Sequence, residues 1–130
     1  MSQSFTSLTG NRVLILEDDY YLATDLQNVL EAAGAVVAGP FPDETAAAHS
    51  LGKNRPNFAF VDINLGQGPT FELPRALTRL DIPFCFVTGY DAGTIPAEFD
   101  GVKRLEKPVD ARKIVGVVAA LLGQEGTTTS

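Results

Sequence analysis

Side chains that can bind metal ions or phosphoryl groups follow several apolar runs of this sequence, at the point where each run ends. They are Glu17, Asp18, Asp62, Thr88 and Lys107. Three crowded carboxylates repel one another and favour a hard cation such as Mg²⁺, which keeps waters for a phosphoryl substrate. A carboxylate can also act as a nucleophile, an amine can neutralise phosphoryl oxygens, and a hydroxyl can donate a hydrogen bond to them. If they converge, these five residues could carry phosphoryl transfer to a carboxylate.

The elements that must position these residues begin with short, continuous apolar runs. Such runs are typical of strands that are buried on both faces, as in a parallel sheet. The sequence predicts five of them, the second broken by Gly39–Pro40. They are Arg12–Leu16, Ala35–Ala38, Asn57–Val61, Pro83–Val87 and Val102–Leu105.

Helical patterns alternate with these strands. Apolar residues recur at helical spacing from Leu22 to a stop at Gly34, and Asp43 is a plausible N-cap for a helix that reaches Leu51. Further helices are predicted over Phe71–Leu80 and Asp110–Leu122, whereas Tyr90–Gly101 has room for a turn or two at most. The alternation predicts a doubly wound α/β domain with helices on both faces of a parallel sheet. Ligands bind beyond the carboxyl ends of such strands, so the five side chains should meet there.

Size and charge limit the possible functions. The 130 residues suit one domain, which we expect over 12–123, with a flexible segment over 1–11 and a disordered tail over 124–130. The net charge of −6 disfavours nucleic-acid binding. The polar start lacks a secretory pattern, no apolar run is long enough for a membrane span, and Cys85 is the one cysteine, so we expect a cytoplasmic protein. A basic set from Lys103 to Lys113 could be solvated or could face an acidic partner.

The ordered set of acidic residues after the first strand, Asp62 after the third, Thr88 after the fourth and Lys107–Pro108 after the fifth resembles the receiver domain of two-component signalling. The match spans roughly residues 12–123. Each part alone is common in proteins, but the whole set at successive strand ends is specific. The resemblance implies a flavodoxin-like sheet of order 2-1-3-4-5.

The resemblance also implies a role for each matched residue. Asp62 would accept the phosphoryl group. Mg²⁺ would be held by Asp18, Asp62 and the backbone carbonyl of Asn64, with Glu17 acting largely through water. Thr88 would be the switch hydroxyl, and Lys107 would pair with Asp62 or its phosphate. The Lys107–Pro108 bond is expected to be cis.

Receiver domains take part in signalling between proteins. The implied phosphoryl donor is a sensor histidine kinase or a histidine phosphotransfer protein, and the output would pass to an unidentified downstream protein. No nucleic-acid or membrane partner is expected. The chain would be a stand-alone response regulator rather than an enzyme, catalysing at most its own phosphorylation and dephosphorylation.

Two features depart from the common receiver pattern. Arg104 stands where the family usually has an aromatic switch residue, three positions before the lysine. The connection between the fourth and fifth strands is short, so the fourth helix should be reduced. The segment PFCFVTGYD, from Pro83 to Asp91, is similar to the PFxFATGY motif of a receiver subgroup, in which Thr88 and Tyr90 would report phosphorylation.

Other interpretations of the same residues are possible. A Mg²⁺-dependent phosphohydrolase with an aspartyl-phosphate intermediate needs an acid two residues after its nucleophile, where this chain has Asn64. A phosphorylation-independent, receiver-like interaction module would usually lose the acid cluster or the lysine. Asp19 is expected to be a helix cap rather than a ligand, His49 to face solvent and Cys85 to be a small core residue.

Overall fold

A computed structural model describes residues 7–63, 70–89 and 95–123 of the chain. Strands and helices alternate along it, as predicted. The strands are β1 (Arg12–Leu16), β2 (Val36–Phe41), β3 (Phe58–Asp62), β4 (Phe84–Thr88) and β5 (Arg104–Glu106). The helices are α1 (Tyr20–Ala32), α2 (Glu44–Leu51), α3 (Glu72–Arg79) and α4 (Ile114–Leu121), with 3-10 turns at Ala97–Phe99 and Ala111–Lys113.

The five strands form one parallel sheet of order β2-β1-β3-β4-β5, which confirms the expected topology. Register places Leu16 of β1 beside Val61 of β3, and Asp62 beside Val87 of β4. The carboxyl ends of β1, β3 and β4 therefore finish at one edge of the sheet.

Each face of the sheet carries its own apolar core, because side chains alternate along buried strands. Phe58 and Phe60 of β3 pack with α1 and α4 on one face, whereas Ala59 and Val61 pack with α2 and α3 on the other. The Cys85 side chain is fully buried in the first of these cores, as predicted. Full burial of a valine, leucine, isoleucine or phenylalanine side chain contributes about 1.5–3 kcal/mol relative to exposure, so the two cores supply the main stabilisation.

Aspartates begin three of the helical segments. Asp19 accepts hydrogen bonds from the backbone N–H groups of Tyr21 and Leu22, and Asp43 accepts one from Ala46. Asp110 likewise accepts from the N–H of Arg112. These bonds satisfy N–H groups that have no partner within their own helix, which confirms Asp19 and Asp43 as caps.

The break predicted in the second strand was wrong. β2 continues through Gly39 and Pro40 to Phe41, and the register against β1 shifts between Leu14 and Leu16. β2 is an edge strand, where the missing proline N–H costs no ladder bond. Gly39 has φ +99°, and a Cβ there would lie 2.7 Å from the Phe41 nitrogen, so only glycine fits this bulge without strain.

The connection after β4 contains a single 3-10 turn, Ala97–Phe99, among the residues the structure describes. This agrees with the expected reduction of the fourth helix. Phe99 of that turn is almost fully buried and packs into the core on the α2–α3 face.

The domain boundaries stay a prediction. Residues 1–6 and 124–130 lie outside the described residues. Ahead of β1, Leu8 is fully buried in the core, and its N–H donates to the Ala33 carbonyl at 2.8 Å. No helix in the described ranges is both long enough and apolar enough to cross a membrane.

Candidate functional site

Four strand ends bring the predicted side chains to one edge of the sheet. Glu17 and Asp18 directly follow β1, Asp62 ends β3, Thr88 ends β4, and Lys107 directly follows β5. Glu17, Asp62 and Thr88 are buried, whereas Asp18 is exposed. The site is therefore a set of buried polar groups that opens to solvent beside Asp18.

One carboxylate oxygen from each of Glu17, Asp18 and Asp62 lies within 4.8 Å of the other two. The bulge in β2 helps to place them, because it lets the Phe41 carbonyl accept the Glu17 N–H at 2.9 Å. A second backbone bond orients the Glu17 side chain: its Oε2 accepts the Asp19 N–H at 3.0 Å. These two hydrogen bonds thus place Glu17 and the start of α1 beside the acid cluster.

The acid cluster fits a hard divalent cation. Its donors are oxygen atoms, which Mg²⁺ and Ca²⁺ prefer. Glu17 Oε1 is buried and has no hydrogen-bond partner within the described part of the chain. An unsatisfied buried carboxylate oxygen is costly, and a cation bound among the three carboxylates would satisfy it.

Lys107 supplies the positive charge of the site. Its Nζ lies 3.2 Å from Asp62 Oδ2 and 3.3 Å from Glu17 Oε2. Burial works against the charge of the ammonium group, but attraction to Asp62 and Glu17 outweighs it and raises the Lys107 pKa. The lysine therefore stays charged, and its Nζ bridges the two buried carboxylates.

Glu17 has an unusual affinity for its proton. Burial, followed by hydrogen bonding to and repulsion from Asp62, raises the pKa of Glu17 to about 8. The Asp19 N–H and Lys107 oppose this shift without cancelling it. Without a bound cation, Glu17 therefore keeps its proton to a higher pH than an ordinary glutamate does.

Thr88 is linked to Lys107 through the backbone. The Thr88 carbonyl accepts the Lys107 N–H at 2.7 Å, and Thr88 pairs with Glu106 in the ladder between β4 and β5. The peptide bond from Lys107 to Pro108 is cis, as expected. Since Asp62 pairs with Val87, Thr88 lies one position beyond the neighbour of Asp62, at the same edge.

Some predicted residues are not part of this geometry. Asn64 and Tyr90 lie outside the described residues, so their predicted roles stay predictions. Arg104 is exposed on β5, and His49 is exposed on α2 as predicted.

Sequence reasoning missed Glu44. Its carboxylate accepts hydrogen bonds from Thr70 N, Thr70 Oγ1 and Leu73 N, at 2.9, 2.7 and 3.2 Å. It thereby caps α3 from a different helix. A signal was present in the sequence, because the predicted start of that helix, Phe71, is an apolar residue that cannot cap its own helix.

Comparisons with known proteins agree with this geometry. No family model matches the chain. It is 31% identical over 108 residues to the sensory transduction protein LytT of Bacillus anthracis, covering 80% of this chain and 44% of that protein. The chain spans about half the length of the curated relatives it matches.

Solved structures share the fold. SdrG of Sphingomonas melonis Fr1 superposes with a TM-score of 0.74 at 28% identity, covering 86% of this chain and 96% of that one. The REC domain of the response regulator PhyR from Erythrobacter litoralis gives 0.74 at 23% identity, covering 88% and 92%. This chain therefore has the fold of a receiver domain, and its sequence is similar to that of a sensory transduction protein.

Proposed function

We propose that this chain is a response-regulator receiver that accepts a phosphoryl group on Asp62, with Mg²⁺ bound at the acid cluster. The single observation that carries the proposal is the convergence of Asp62 with two further carboxylates and the Lys107 ammonium. Asp62 supplies a nucleophile, the neighbouring acids supply ligands for a cation, and the lysine supplies a positive charge for phosphoryl oxygens.

In the proposed transfer, an Asp62 carboxylate oxygen attacks the phosphorus of a phosphohistidine. The phosphorus–nitrogen bond breaks, and its electron pair leaves with the donor's imidazole. Lys107, which holds Asp62 Oδ2 at 3.2 Å, is close enough to shift its hydrogen bond to a phosphoryl oxygen. The Thr88 hydroxyl is the predicted donor to the same group. Glu17, Asp18 and Asp62 would hold the cation, which neutralises the charge of the phosphoryl oxygens.

The phosphoryl donor would be a sensor histidine kinase or a histidine phosphotransfer protein. Asp62 is almost fully buried, so a donor must insert its phosphohistidine at the strand edge beside exposed Asp18. The LytT relative is described as a sensory transduction protein, which supports a signalling role. Phosphorylation would then alter a protein-binding face that an unidentified downstream protein recognises.

Intact mass after incubation with acetyl phosphate and Mg²⁺ tests the proposal. The native chain should gain one phosphoryl group, and Asp62→Asn should gain none. Asp25→Asn is the matched control, because Asp25 is an exposed aspartate on α1. Omission of Mg²⁺ should abolish the gain in the native chain and in the control. A folded native chain that stays unmodified with several donors would indicate a phosphorylation-independent interaction module instead.

A further inference from the structure

We propose that the stacked rings of Phe71 and Phe99 link the two chain segments that leave the site, so that phosphorylation of Asp62 is sensed at the 3-10 turn Ala97–Phe99. The inference rests on the proposed function. It also goes beyond that function, because it names the contact that carries the signal from the site.

Phe71 and Phe99 each lie in the connection that follows a strand of the site. Phe71 follows Asp62 along the chain and immediately precedes α3, whereas Phe99 follows Thr88 and precedes β5. Their ring centroids lie 5.8 Å apart, with 25° between the ring planes. Phe99 also contacts Phe84 and Phe86 of β4, at 6.2 and 5.5 Å. Movement at either strand end can therefore reach the turn through packed rings.

Phe71 is held in a backbone conformation that a bulky residue rarely adopts. Its φ is +63° and its ψ is 14°, in the left-handed region. Such a conformation is strained and persists only where the surrounding contacts hold it in place. Here the Glu44 carboxylate binds Thr70 before it and the Leu73 N–H after it. These hydrogen bonds hold the Phe71 backbone in place, and with it the ring that contacts Phe99.

The turn is fastened at the surface by a second set of contacts. Arg75 of α3 donates to both carboxylate oxygens of Glu98, with Nη2–Oε2 at 2.9 Å. The Arg75 guanidinium carbon also lies 6.0 Å from the Phe99 ring centroid. Both side chains of the ion pair are about half exposed. A change in the stack would therefore alter a surface that another protein can contact.

The link runs through the core and not along β5, where Arg104 is exposed. The Phe71–Phe99 stack joins two regions, the phosphoacceptor side and the side after Thr88, on the α2–α3 face of the sheet. Simple core packing without a signalling role is the competing explanation.

Hydrogen exchange of the full chain separates the two explanations. The reporters are the N–H groups of Phe99, Asp100 and Val102, which donate to carbonyls within or next to the turn. Phe71→Leu removes the stack. Phe58→Leu is the matched control, since Phe58 is a buried ring on the opposite face, with its centroid 5.2 Å from that of Phe60.

Without phosphate, Phe71→Leu should raise reporter exchange about tenfold, whereas Phe58→Leu should raise it by less than about threefold. With acetyl phosphate and Mg²⁺, reporter exchange in the native chain and in Phe58→Leu should change at least about threefold. Phe71→Leu should be phosphorylated to the same extent, as intact mass will show, but phosphorylation should no longer change its reporter exchange.

Equal reporter exchange in the two variants, or a phosphorylation-dependent change that survives in Phe71→Leu, would overturn the link. Intact mass separates this failure from that of the proposed function: a native chain that takes up no phosphoryl group refutes both. If Phe71→Leu does not fold, exposed Arg75→Gln takes its place, with Arg79→Gln of the same helix as control.

Discussion

The Lys107 Nζ lies 3.2 Å from Asp62 Oδ2, although the two residues lie at the ends of different strands and are 45 positions apart in the sequence. The Lys107 side chain is one-quarter exposed, and that of Asp62 is fully buried. The same Nζ lies 3.3 Å from Glu17 Oε2, so one cation bridges two buried carboxylates. The charge balance of the site therefore depends on this lysine whenever no metal is bound.

Lys107→Met should accordingly destabilise the metal-free protein. At pH 8.5 in chelator, the buried carboxyl groups of Asp62 and Glu17 would lose the ammonium group that bridges them, and we expect the free energy of unfolding to fall by about 2–3 kcal/mol. Lys103 is exposed and directly precedes β5, so Lys103→Met should change the free energy of unfolding by less than about 0.5 kcal/mol. Urea denaturation measures both. Equal losses would show that the bridge contributes nothing.

Asp18 and Asp19 are adjacent but should behave differently towards Mg²⁺. Asp18 belongs to the acid cluster, whereas the Asp19 side chain caps α1. Asp18→Asn should weaken Mg²⁺ binding at least about tenfold, and Asp19→Asn, which keeps the cap, should weaken it by less than about threefold. Isothermal titration with Mg²⁺ distinguishes them. Equal weakening would contradict this assignment of ligand and cap.

Glu17 should make the metal-free protein sensitive to pH. Its folded-state pKa of about 8 lies above the usual 4.5, so the folded state holds the proton more tightly than the unfolded state. The resulting stabilisation is complete below pH 4.5 and is lost as the pH rises through 8. In chelator, the unfolding free energy of the native chain relative to Glu17→Gln should therefore fall from pH 5 to pH 9. A difference that stays flat or rises would refute the raised pKa.

Two glycines should respond in opposite ways to alanine. Gly34, after α1, has φ +100°, and a Cβ would lie 2.4 Å from Thr9 Oγ1, so Gly34→Ala should cost about 1–3 kcal/mol. Gly116 lies in α4 with open space around its missing Cβ, so Gly116→Ala should stabilise the protein by about 0.5–1 kcal/mol. Thermal unfolding followed by circular dichroism measures both. Stabilisation by Gly34→Ala would show that the turn tolerates a side chain.

Much of the site could be predicted from the sequence, because a buried strand is a short apolar run and its first polar residue marks the strand end. That rule located Glu17, Asp62 and Thr88 at one edge. The order of the strands was not derivable in this way and came from the resemblance to receivers. A different rule, that Gly–Pro ends a strand, failed at Gly39–Pro40, because these residues form a bulge within an edge strand.

Contacts between distant segments were beyond the sequence patterns. At the start of α3, the Leu73 N–H is satisfied by Glu44 of another helix, and no pattern around Phe71 names that distant partner. The stack of Phe71 on Phe99 likewise depends on how two connections pack after folding. Periodicity predicts that such rings are buried but not which ring they contact.

Direct mapping of the modified residue tests the central claim, that Asp62 accepts the phosphoryl group. The native chain is incubated with acetyl phosphate and Mg²⁺, reduced with borohydride, which converts an aspartyl phosphate to homoserine, and digested for peptide mass analysis. We predict homoserine at position 62 and at no other aspartate, and none when Mg²⁺ is omitted. Homoserine at another aspartate, or a stable phosphoryl group on a different side chain, would contradict the account.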